Sequence, residues 1–378
     1  MASATDKVYR ELQQHLNDLP AGFPATQSGV EIRILRQLFS PVEAAIALKL
    51  GLIPATFGRI HRHMKRSRLS KSDLQRNLDT MVAKGIIGRI QKGKLILFRI
   101  IKFMIGIYEF QVNRLTPEFM ADMNQYVNEA LASDFLQKGG VTQIRTIPVE
   151  QSIPYLNYIY RYDDIRALID HAKGHIAVAP CVCRLGHDFL GQRCQLTDLR
   201  ESCFTFGAAA DYWIRQGYAR KIPKEEALAI LQQAQDAGLL LQPGNVQRLN
   251  FVCTCCGCCC EALKILKTTH RPFDFYNTNY FAEVEPVLCR GCQTCVKRCQ
   301  MGALTVENRV VTVNRNLCLG CGQCVATCPT HAMHLRAKPR APQPPKNGTA
   351  LNLGLIVQRS GKWAALKSLL KMIVKIGV

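Results

Sequence analysis

The residues CRGCQTCVKRC at positions 289–299 and CLGCGQCVATCP at positions 318–329 decide the fold of the segment that contains them. In each stretch, two residues separate each of the first three cysteines, a fourth cysteine follows after three more, and the second stretch begins 29 residues after the first. Three cysteines at this spacing can bind three irons of one cubane, while the fourth reaches a neighbouring cubane. The spacing therefore predicts two [4Fe-4S] clusters.

Each motif is predicted to lend its fourth cysteine to the cluster of the other motif. The first predicted cluster has the ligands Cys289, Cys292, Cys295 and Cys328. The second has the ligands Cys318, Cys321, Cys324 and Cys299. A zinc ribbon would instead use paired C-x2-C knuckles that each close on four ligands, and two complete three-plus-one motifs do not match that pattern.

Residues 283–336 resemble a bacterial two-cluster ferredoxin along their whole length. Besides the cysteines, residues 303–306 and 310–313 have the pattern of strands that link the two halves. The resemblance implies a βαββαβ fold and electron transfer with a redox partner. One departure is Gln300, where the first motif of the family has proline, and it removes no ligand.

All 18 cysteines lie after residue 180, which indicates sites rather than scattered buried thiols. Residues 1–19 lack the basic and apolar regions of an export signal, so we expect a cytoplasmic protein whose cysteines bind metal instead of forming disulfides. The apolar run at 95–108 contains Arg99 and Lys102, and it is too short and too charged to span a bilayer. A peripheral position at the inner face of the cytoplasmic membrane stays an open alternative.

The chain is strongly basic, with a formal net charge of +21 when cysteines are counted as neutral. Eight ligand thiolates and two cluster cores of about +2 each lower this to roughly +17. The remaining charge favours acidic partners, namely nucleic acid, anionic lipid or an acidic redox protein.

Residues 30–110 have the pattern of a compact helical unit that ends in a hairpin. Ser40-Pro41-Val42-Glu43 forms a capping box that begins a helix running to Leu50, and Ser72 precedes an amphipathic helix. Apolar runs at 86–90 and 95–100 then predict a hairpin. The order resembles a winged helix-turn-helix domain, and the 13 Lys or Arg between Arg59 and Lys102 suit phosphate contact. A docking or dimerisation module with a solvated basic face is the alternative.

Residues 116–280 alternate helix signals with short apolar runs, for example at 175–179 and 224–237, and predict a mixed α/β domain. This segment contains ten further candidate metal ligands: Cys181, Cys183, Cys194, Cys203, Cys253, Cys255, Cys256, Cys258, Cys259 and Cys260. Adjacent cysteines of an extended segment point to opposite sides, so Cys255 and Cys256 are not expected on one metal unless the chain turns there. Three interpretations stay open: one or two additional iron–sulfur clusters, a structural zinc, and a redox-active dithiol or buried thiols. Arg184 would lower thiol pKa values beside Cys183, or is a solvated surface charge.

The whole arrangement also resembles a recurring type of anaerobe protein. The residues that carry the resemblance are LPAGFP at 19–24, APCVCR at 179–184, CCGCCC at 255–260 and CQM at 299–301. It covers nearly all of the chain before the proline-rich linker, and it implies the architecture rather than a reaction. In proteins of this type, a glutamine at the position of Gln300 is usual.

The last residues, 338–378, are predicted to form a stiff exposed proline-rich linker over 338–347 and, after Ser360-Gly361, a basic amphipathic helix. Trp363 and the leucines and isoleucines up to Ile376 share one face, while Lys367, Lys371 and Lys375 line the other. Such a helix suits an anionic membrane surface or a partner groove, and packing against the protein's own core is the alternative.

Together these patterns predict an α+β multidomain protein with a winged-helix-like domain at 1–115, a Cys-rich α/β domain at 116–280, a ferredoxin domain at 281–337 and the C-terminal part at 338–378. The leading hypothesis is an electron carrier or oxidoreductase subunit that relays single electrons to or from a partner oxidoreductase. A redox-sensing transcriptional regulator that binds DNA through residues 54–100, and a catalytic cluster among the middle cysteines, are the alternatives. No nucleotide-binding glycine loop, nucleophile elbow or distinctive carboxylate pair indicates a stand-alone enzyme.

Overall fold

The computed structural model describes residues 4–65, 69–131, 141–155, 159–268, 272, 277–339, 341–359 and 361. The chain divides into two compact units, residues 1–134 with 352–378 and residues 135–351. The predicted four-part division, with boundaries after residues 115, 280 and 337, stays a prediction. None of the described helices is long and apolar enough to cross a membrane.

The first unit contains helices followed by a small sheet and a further helix. Its elements are α1 Ala4–Asn17, α2 Val30–Leu38, α3 Pro41–Ala47, β1 Ala55–Thr56, α4 Phe57–His63, α5 Lys71–Ala83, β2 Ile87–Lys92, β3 Leu95–Ile100 and α6 Pro117–Tyr126. The three strands form one antiparallel sheet in the order β1-β3-β2. The predicted hairpin is confirmed, and its register pairs Ile87 with Ile100 and Lys92 with Leu95.

Helix α3 begins at the predicted capping box. The hydroxyl of Ser40 accepts a hydrogen bond from the Glu43 N–H, and the Glu43 carboxylate accepts one from the Ser40 N–H at 2.7 Å. The helix ends at Ala47, earlier than the predicted Leu50. The N–H groups of Lys49 and Leu50 bond to carbonyls three residues back, so the last turn is tighter than an α-helix.

Helix α5 begins two residues before the predicted start at Ser72. Ser70 is the N-cap, because its hydroxyl accepts a hydrogen bond from the Asp73 N–H at 3.0 Å. Two serines at 70 and 72 offered the same capping chemistry, and the one three residues before an acidic residue was used. The predicted apolar stripe is buried as expected, with Leu74, Leu78, Met81 and Val82 in the core.

The second unit is built around a five-stranded antiparallel sheet in the order β7-β5-β6-β9-β8. The elements of the second unit up to residue 267 are β4 Arg145–Thr146, α7 Ile165–Asp170, β5 Ile176–Pro180, α8 Val182–Phe189, β6 Glu201–Phe206, α9 Ala208–Arg215, β7 Arg220–Ile222, α10 Lys224–Asp236, β8 Leu240–Pro243, β9 Phe251–Cys255 and α11 Glu261–Lys267. The strand predicted at 175–179 and the helix predicted at 224–237 are confirmed to within one residue.

One face of this sheet belongs to the hydrophobic core. Val178, Phe204 and Val252 are cross-strand neighbours, are fully buried and pack in one cluster with Leu231 of α10. Because side chains alternate along a strand, the residues between them face the opposite side. Cys203 and Cys253 lie at such positions, opposite each other in the register of β6 and β9.

The unit continues with β10 Asn277–Thr278, β11 Tyr280–Val284, α12 Thr294–Arg298, β12 Leu304–Glu307, β13 Val310–Val313, α13 Gln323–Ala326 and β14 Met333–Ala337. From β11 onward the order is strand, helix, strand, strand, helix, strand. Strand β11 pairs antiparallel with β14, and β12 pairs antiparallel with β13. This order places each cysteine motif at the start of a short helix, α12 or α13.

The described part of the C-terminal region differs from the prediction in two ways. The linker at 338–347 is not exposed throughout, since Pro344 is buried and its carbonyl accepts a hydrogen bond from the Gln247 side chain at 2.9 Å. Residues 348–359 are helical, where the sequence predicted no helix. The predicted amphipathic face from Trp363 to Ile376 lies outside the described residues.

Candidate metal centres

The eight ferredoxin-type cysteines border α12 and α13 at the end of the second unit. One cavity is lined by Cys299 together with Cys318, Cys321 and Cys324, so the last cysteine of the first motif meets the first three of the second. This is the set predicted for the second cluster, and four convergent thiols are the donor set that a [4Fe-4S] cluster requires.

Of the remaining four cysteines, Cys292, Cys295 and Cys328 lie close enough to affect one another's charge. Burial, with the neighbouring charges of Cys328 and Cys292, raises the pKa of Cys295 to about 11. Cys289 packs against the same hydrophobic cluster as Cys295. The structure thus brings Cys328 to the first motif, while the ligand assignment itself stays a prediction.

Backbone N–H groups point at the sulfurs of the second set. Ala282 and Gly320 donate to Cys318 Sγ at 3.3 and 3.4 Å, and Ala303 donates to Cys299 Sγ at 3.3 Å. Burial raises the pKa of Cys321 to about 12 and so favours the neutral thiol, and a bound iron would supply the positive charge that offsets this effect. The N–H donors and the buried thiols both fit a cluster as the resident group.

The ten upstream cysteines fall into two groups. The first, called here the tetracysteine group, has Sγ atoms that all lie within 4.8 Å of one another. It consists of Cys194, Cys256, Cys258 and Cys259. Three of its sulfur pairs are 3.7 Å apart: Cys194 with Cys256, Cys194 with Cys258, and Cys258 with Cys259. Cys194 follows α8, and the other three lie in the loop between β9 and α11.

The second, called here the six-thiol group, is a set of neighbouring thiols in which side-chain hydrogen bonds between members shift one another's pKa. It consists of Cys181, Cys183, Cys203, Cys253, Cys255 and Cys260. The hydrogen bonds run in a chain in the order 181, 183, 260, 255, 253 and 203. The members come from β6, β9 and the first residues at α8 and α11, so the fold gathers residues that are far apart in sequence.

The strand alternation separates Cys255 from Cys256, as the sequence suggested. Cys255 ends β9 and belongs to the six-thiol group, whereas Cys256 begins the following loop and belongs to the tetracysteine group. Gly257, expected to permit a turn, lies within that loop.

Arg184 is a buried cation between the two groups, with only 1% of its surface exposed. Its guanidinium donates to the Thr254 carbonyl at 2.8 Å and to the Ser202 hydroxyl. A hydrogen bond from Cys259, together with the charge of Arg184, lowers the pKa of Cys256 to about 5. A hydrogen bond from Cys183, again with the charge of Arg184, lowers the pKa of Cys181 to about 7. Arg184 therefore favours thiolates in both groups and is not a solvated surface charge.

A buried polar pair joins the two helices that follow these cysteines. His187 Nε2 of α8 lies 3.5 Å from a carboxylate oxygen of Glu261 of α11. His187 is four residues after Cys183 and shares its helix face, while Glu261 directly follows Cys260. The sequence carries no local signal for this pair, because only the tertiary packing brings the two helices together.

Gln300 connects the tetracysteine loop to the ferredoxin-type segment. Its side-chain oxygen accepts a hydrogen bond from the Gly257 N–H at 2.9 Å, and Lys267 donates to the Gly257 carbonyl at 2.9 Å. A proline at position 300, as in the two-cluster ferredoxin pattern, offers no side-chain acceptor. The departure noted in the sequence thus has a structural role.

Residues 288–333 match the family model described as a 4Fe-4S dicluster domain. No curated protein matches the chain significantly, and neither does any solved structure. The match and the cysteine groups identify iron–sulfur clusters as the cofactor of this segment. The chain therefore contains a 4Fe-4S dicluster domain and is an iron–sulfur protein.

Proposed function

We propose that this protein relays single electrons through two [4Fe-4S] clusters to or from a partner oxidoreductase. The observation that supports the proposal most directly is the cavity in which Cys299 joins Cys318, Cys321 and Cys324. A shared pair of motifs keeps the two clusters close together, which suits electron transfer between them.

The first cluster is the one that a partner would reach. Cys292 is exposed, and the neighbouring Val287 and Leu288 have 89% and 49% of their surface exposed. Arg290 and Arg309 are exposed beside them. An apolar patch with basic neighbours suits a redox protein with an acidic surface. In the second set, Cys318 and Cys324 are buried and Cys299 and Cys321 are half-buried, so electrons would pass inward from this patch.

Reduction kinetics of the full chain, purified without oxygen, test the relay. We expect a low-potential acidic donor to reduce the clusters rapidly, and an acceptor to reoxidise them. Arg290→Glu should slow the reduction and weaken its dependence on salt, because opposite charges guide the encounter. Lys221→Glu, on strand β7, is the matched charge reversal and should leave the rate unchanged. A cluster-intact protein that stays inert to donors and acceptors would refute the relay.

The six-thiol group is the proposed site of a third iron–sulfur centre. Six neighbouring thiols are more than the four ligands that a single zinc ion uses, and they are enough to supply the four ligands of a cubane. The site therefore suits a centre with several irons. Iron and sulfide counts on the intact protein should exceed eight of each per chain. The triple variant Cys183→Ser, Cys255→Ser and Cys260→Ser leaves three thiols, fewer than the four that one cubane uses, and should lower the iron count to about eight. An intact wild-type protein with eight irons would contradict this assignment.

We propose sequence-specific DNA binding as a second candidate function. Two observations favour it: the elements follow the winged-helix order β1, α4, α5, β2, β3, and basic side chains of this region are exposed. These include Arg62, Lys65, Lys92 and Lys94. Duplex binding should show site preference and a steep salt slope, and cluster oxidation should change the affinity. Lys94→Glu should reduce the slope, while Lys7→Glu on α1 should not. Equal, weak binding of all sequences would exclude the regulator.

We also propose that the C-terminal residues locate the protein in the cell. A lysine-lined amphipathic helix from Trp363 to Ile376 would hold the protein at an anionic membrane surface, or in a partner groove. The full chain should sediment with vesicles that contain anionic lipid and not with neutral vesicles. A chain that ends at Gly361 should lose this binding, and equal binding by both chains would contradict the proposal.

A further inference from the structure

The spacing of the tetracysteine sulfurs matches one metal ion rather than a cluster. Four thiolates at about 2.3 Å from a central ion, in a tetrahedron, are about 3.8 Å from one another. The observed separations of 3.7 Å agree with this value. None of these four cysteines forms a disulfide in the structure, so all four thiols are available as ligands.

The ferredoxin-type cysteines provide an internal comparison. A cubane carries its four thiolates on four different irons, so their sulfurs stand farther apart than around a single ion. Among the described residues, the tetracysteine group is the one set of three or more potential ligands whose donor atoms all lie within 4.8 Å. The cysteines around the cluster cavity do not meet that limit, as expected for a larger group between them.

We propose that Cys194, Cys256, Cys258 and Cys259 bind a single Zn²⁺ ion in a closed tetrahedral site. Cys256 and Cys259 have the C-x2-C spacing of a zinc knuckle, and each is only 1% exposed. Four thiolates leave no open position for substrate, which is typical of a structural site. Buried Arg184 offsets part of the net negative charge of such a site.

The ion would fix the loop that reaches the second cluster. Gly257 lies between two of the zinc ligands, and its N–H bonds to Gln300, which directly follows the cluster ligand Cys299. On the other side, Leu239 packs against the tetracysteine group, while the next residue, Leu240, lines the cluster cavity. Gln300 is thus a positioning residue for the second cluster. This role of Gln300 rests on the proposed clusters, whereas the zinc site does not.

Metal analysis of the intact protein, purified without oxygen, tests the zinc site. We expect one zinc per chain, with X-ray absorption that shows four sulfur neighbours at about 2.3 Å. Cys194→Ser should lose zinc and keep its iron, and Cys292→Ser in the dicluster domain should lose iron and keep its zinc. The absorption measurement needs no variant, so the test survives if Cys194→Ser does not fold. Absence of zinc, or loss of four irons from Cys194→Ser, would overturn the proposal.

Redox titration tests the positioning role of Gln300. Gln300→Ala and Gln300→Pro should keep the zinc and shift the midpoint potential of one cluster while the other keeps its value. Thr305→Ala, exposed on β12, is the control and should shift neither. Unchanged midpoint potentials in both Gln300 variants would refute the positioning role of Gln300. Such a result would leave the zinc assignment intact. A protein that retains zinc but has no clusters would instead refute the proposed function.

Discussion

Gly320 and Gly302 of the dicluster domain share a left-handed backbone but differ in the space around them. Their φ angles are +60° and +64°. A Cβ on Gly320 would overlap the Tyr280 carbonyl oxygen, whereas a Cβ on Gly302 would have no neighbour within 4 Å. Both alanines incur the left-handed backbone penalty of about 1–2 kcal/mol. The difference between the two variants therefore isolates the steric effect.

We expect Gly320→Ala to bind fewer irons and to unfold at a lower temperature than Gly302→Ala. The overlap would displace the turn between Cys318 and Cys321, whose backbone N–H at residue 320 also donates to a cluster-side sulfur. Iron content and thermal unfolding of both variants provide the measurement. Equal losses in the two variants would show that backbone strain alone accounts for the effect.

Lys102 carries a pH dependence of stability. Burial lowers its pKa from 10.5 to about 8, against the opposing charge of Glu109. Below pH 8 both the folded and the unfolded states hold the proton, so the cost of burying the charge is fully present. Between pH 8 and 10.5 the unfolded state holds more protons, and the stability rises with pH.

Lys102→Met should therefore stabilise the protein at pH 7, and its advantage over the wild type should shrink as the pH rises toward 9.5. Chemical unfolding of both proteins across this range measures the difference. Lys94→Met, in the exposed hairpin turn, is the control and should show no such trend. A constant advantage at every pH would assign the gain to the apolar side chain instead.

At the level of single elements, helix α3 shows how much a local signal can predict. Ser40 and Glu43 bond to each other's backbone within four residues, so the sequence alone located this helix start. The sequence did not locate the end of the helix, because that end depends on which carbonyl groups accept hydrogen bonds from the last N–H groups. For α5, the acidic Asp73 three residues after Ser70 is a local signal that favours Ser70 as the cap, while Ser72 lies within the helix.

Loss of the Ser40 cap should cost about 1 kcal/mol of unfolding free energy. Ser40→Ala removes the acceptor for the Glu43 N–H, whereas Ser40→Asp keeps an acceptor at the same place and should restore most of the loss. Denaturant unfolding measures both variants. A Ser40→Asp protein as unstable as Ser40→Ala would mean that the hydroxyl's own proton, rather than cap acceptance, matters here.

The cysteines show the same limit on prediction from a sequence. The ferredoxin spacing is local, so the family of residues 288–333 was evident from the two motifs. The division of the other ten cysteines into groups of four and six was not evident from the sequence. It depends on Cys194 returning to the loop at 256–259, and on the register that places Cys203 beside Cys253. Neither contact leaves a periodic signal in the chain.

At the scale of the second unit, a buried ion pair ties β4 to the start of the dicluster segment. Arg145 of β4 lies 3.3 Å from Asp163, and both side chains are almost fully buried. Asn279, just before β11, donates to the other carboxylate oxygen of Asp163 at 2.6 Å. Arg145 also donates to the Val246 carbonyl at 3.1 Å. Three distant segments thus meet at one carboxylate.

Removing one partner of this pair should cost more than removing both. Asp163→Asn leaves the Arg145 charge buried without its counterion and should cost about 3–5 kcal/mol of unfolding free energy. Adding Arg145→Met removes that stranded charge, so the double variant should recover part of the loss, measured by denaturant unfolding as a double-mutant cycle. Because Asn279 adjoins β11, we also expect Asp163→Asn to loosen the dicluster segment and to release iron faster to a chelator. Additive costs in the cycle would show that the two charges do not depend on each other, and the pair would then contribute little to holding this segment in place.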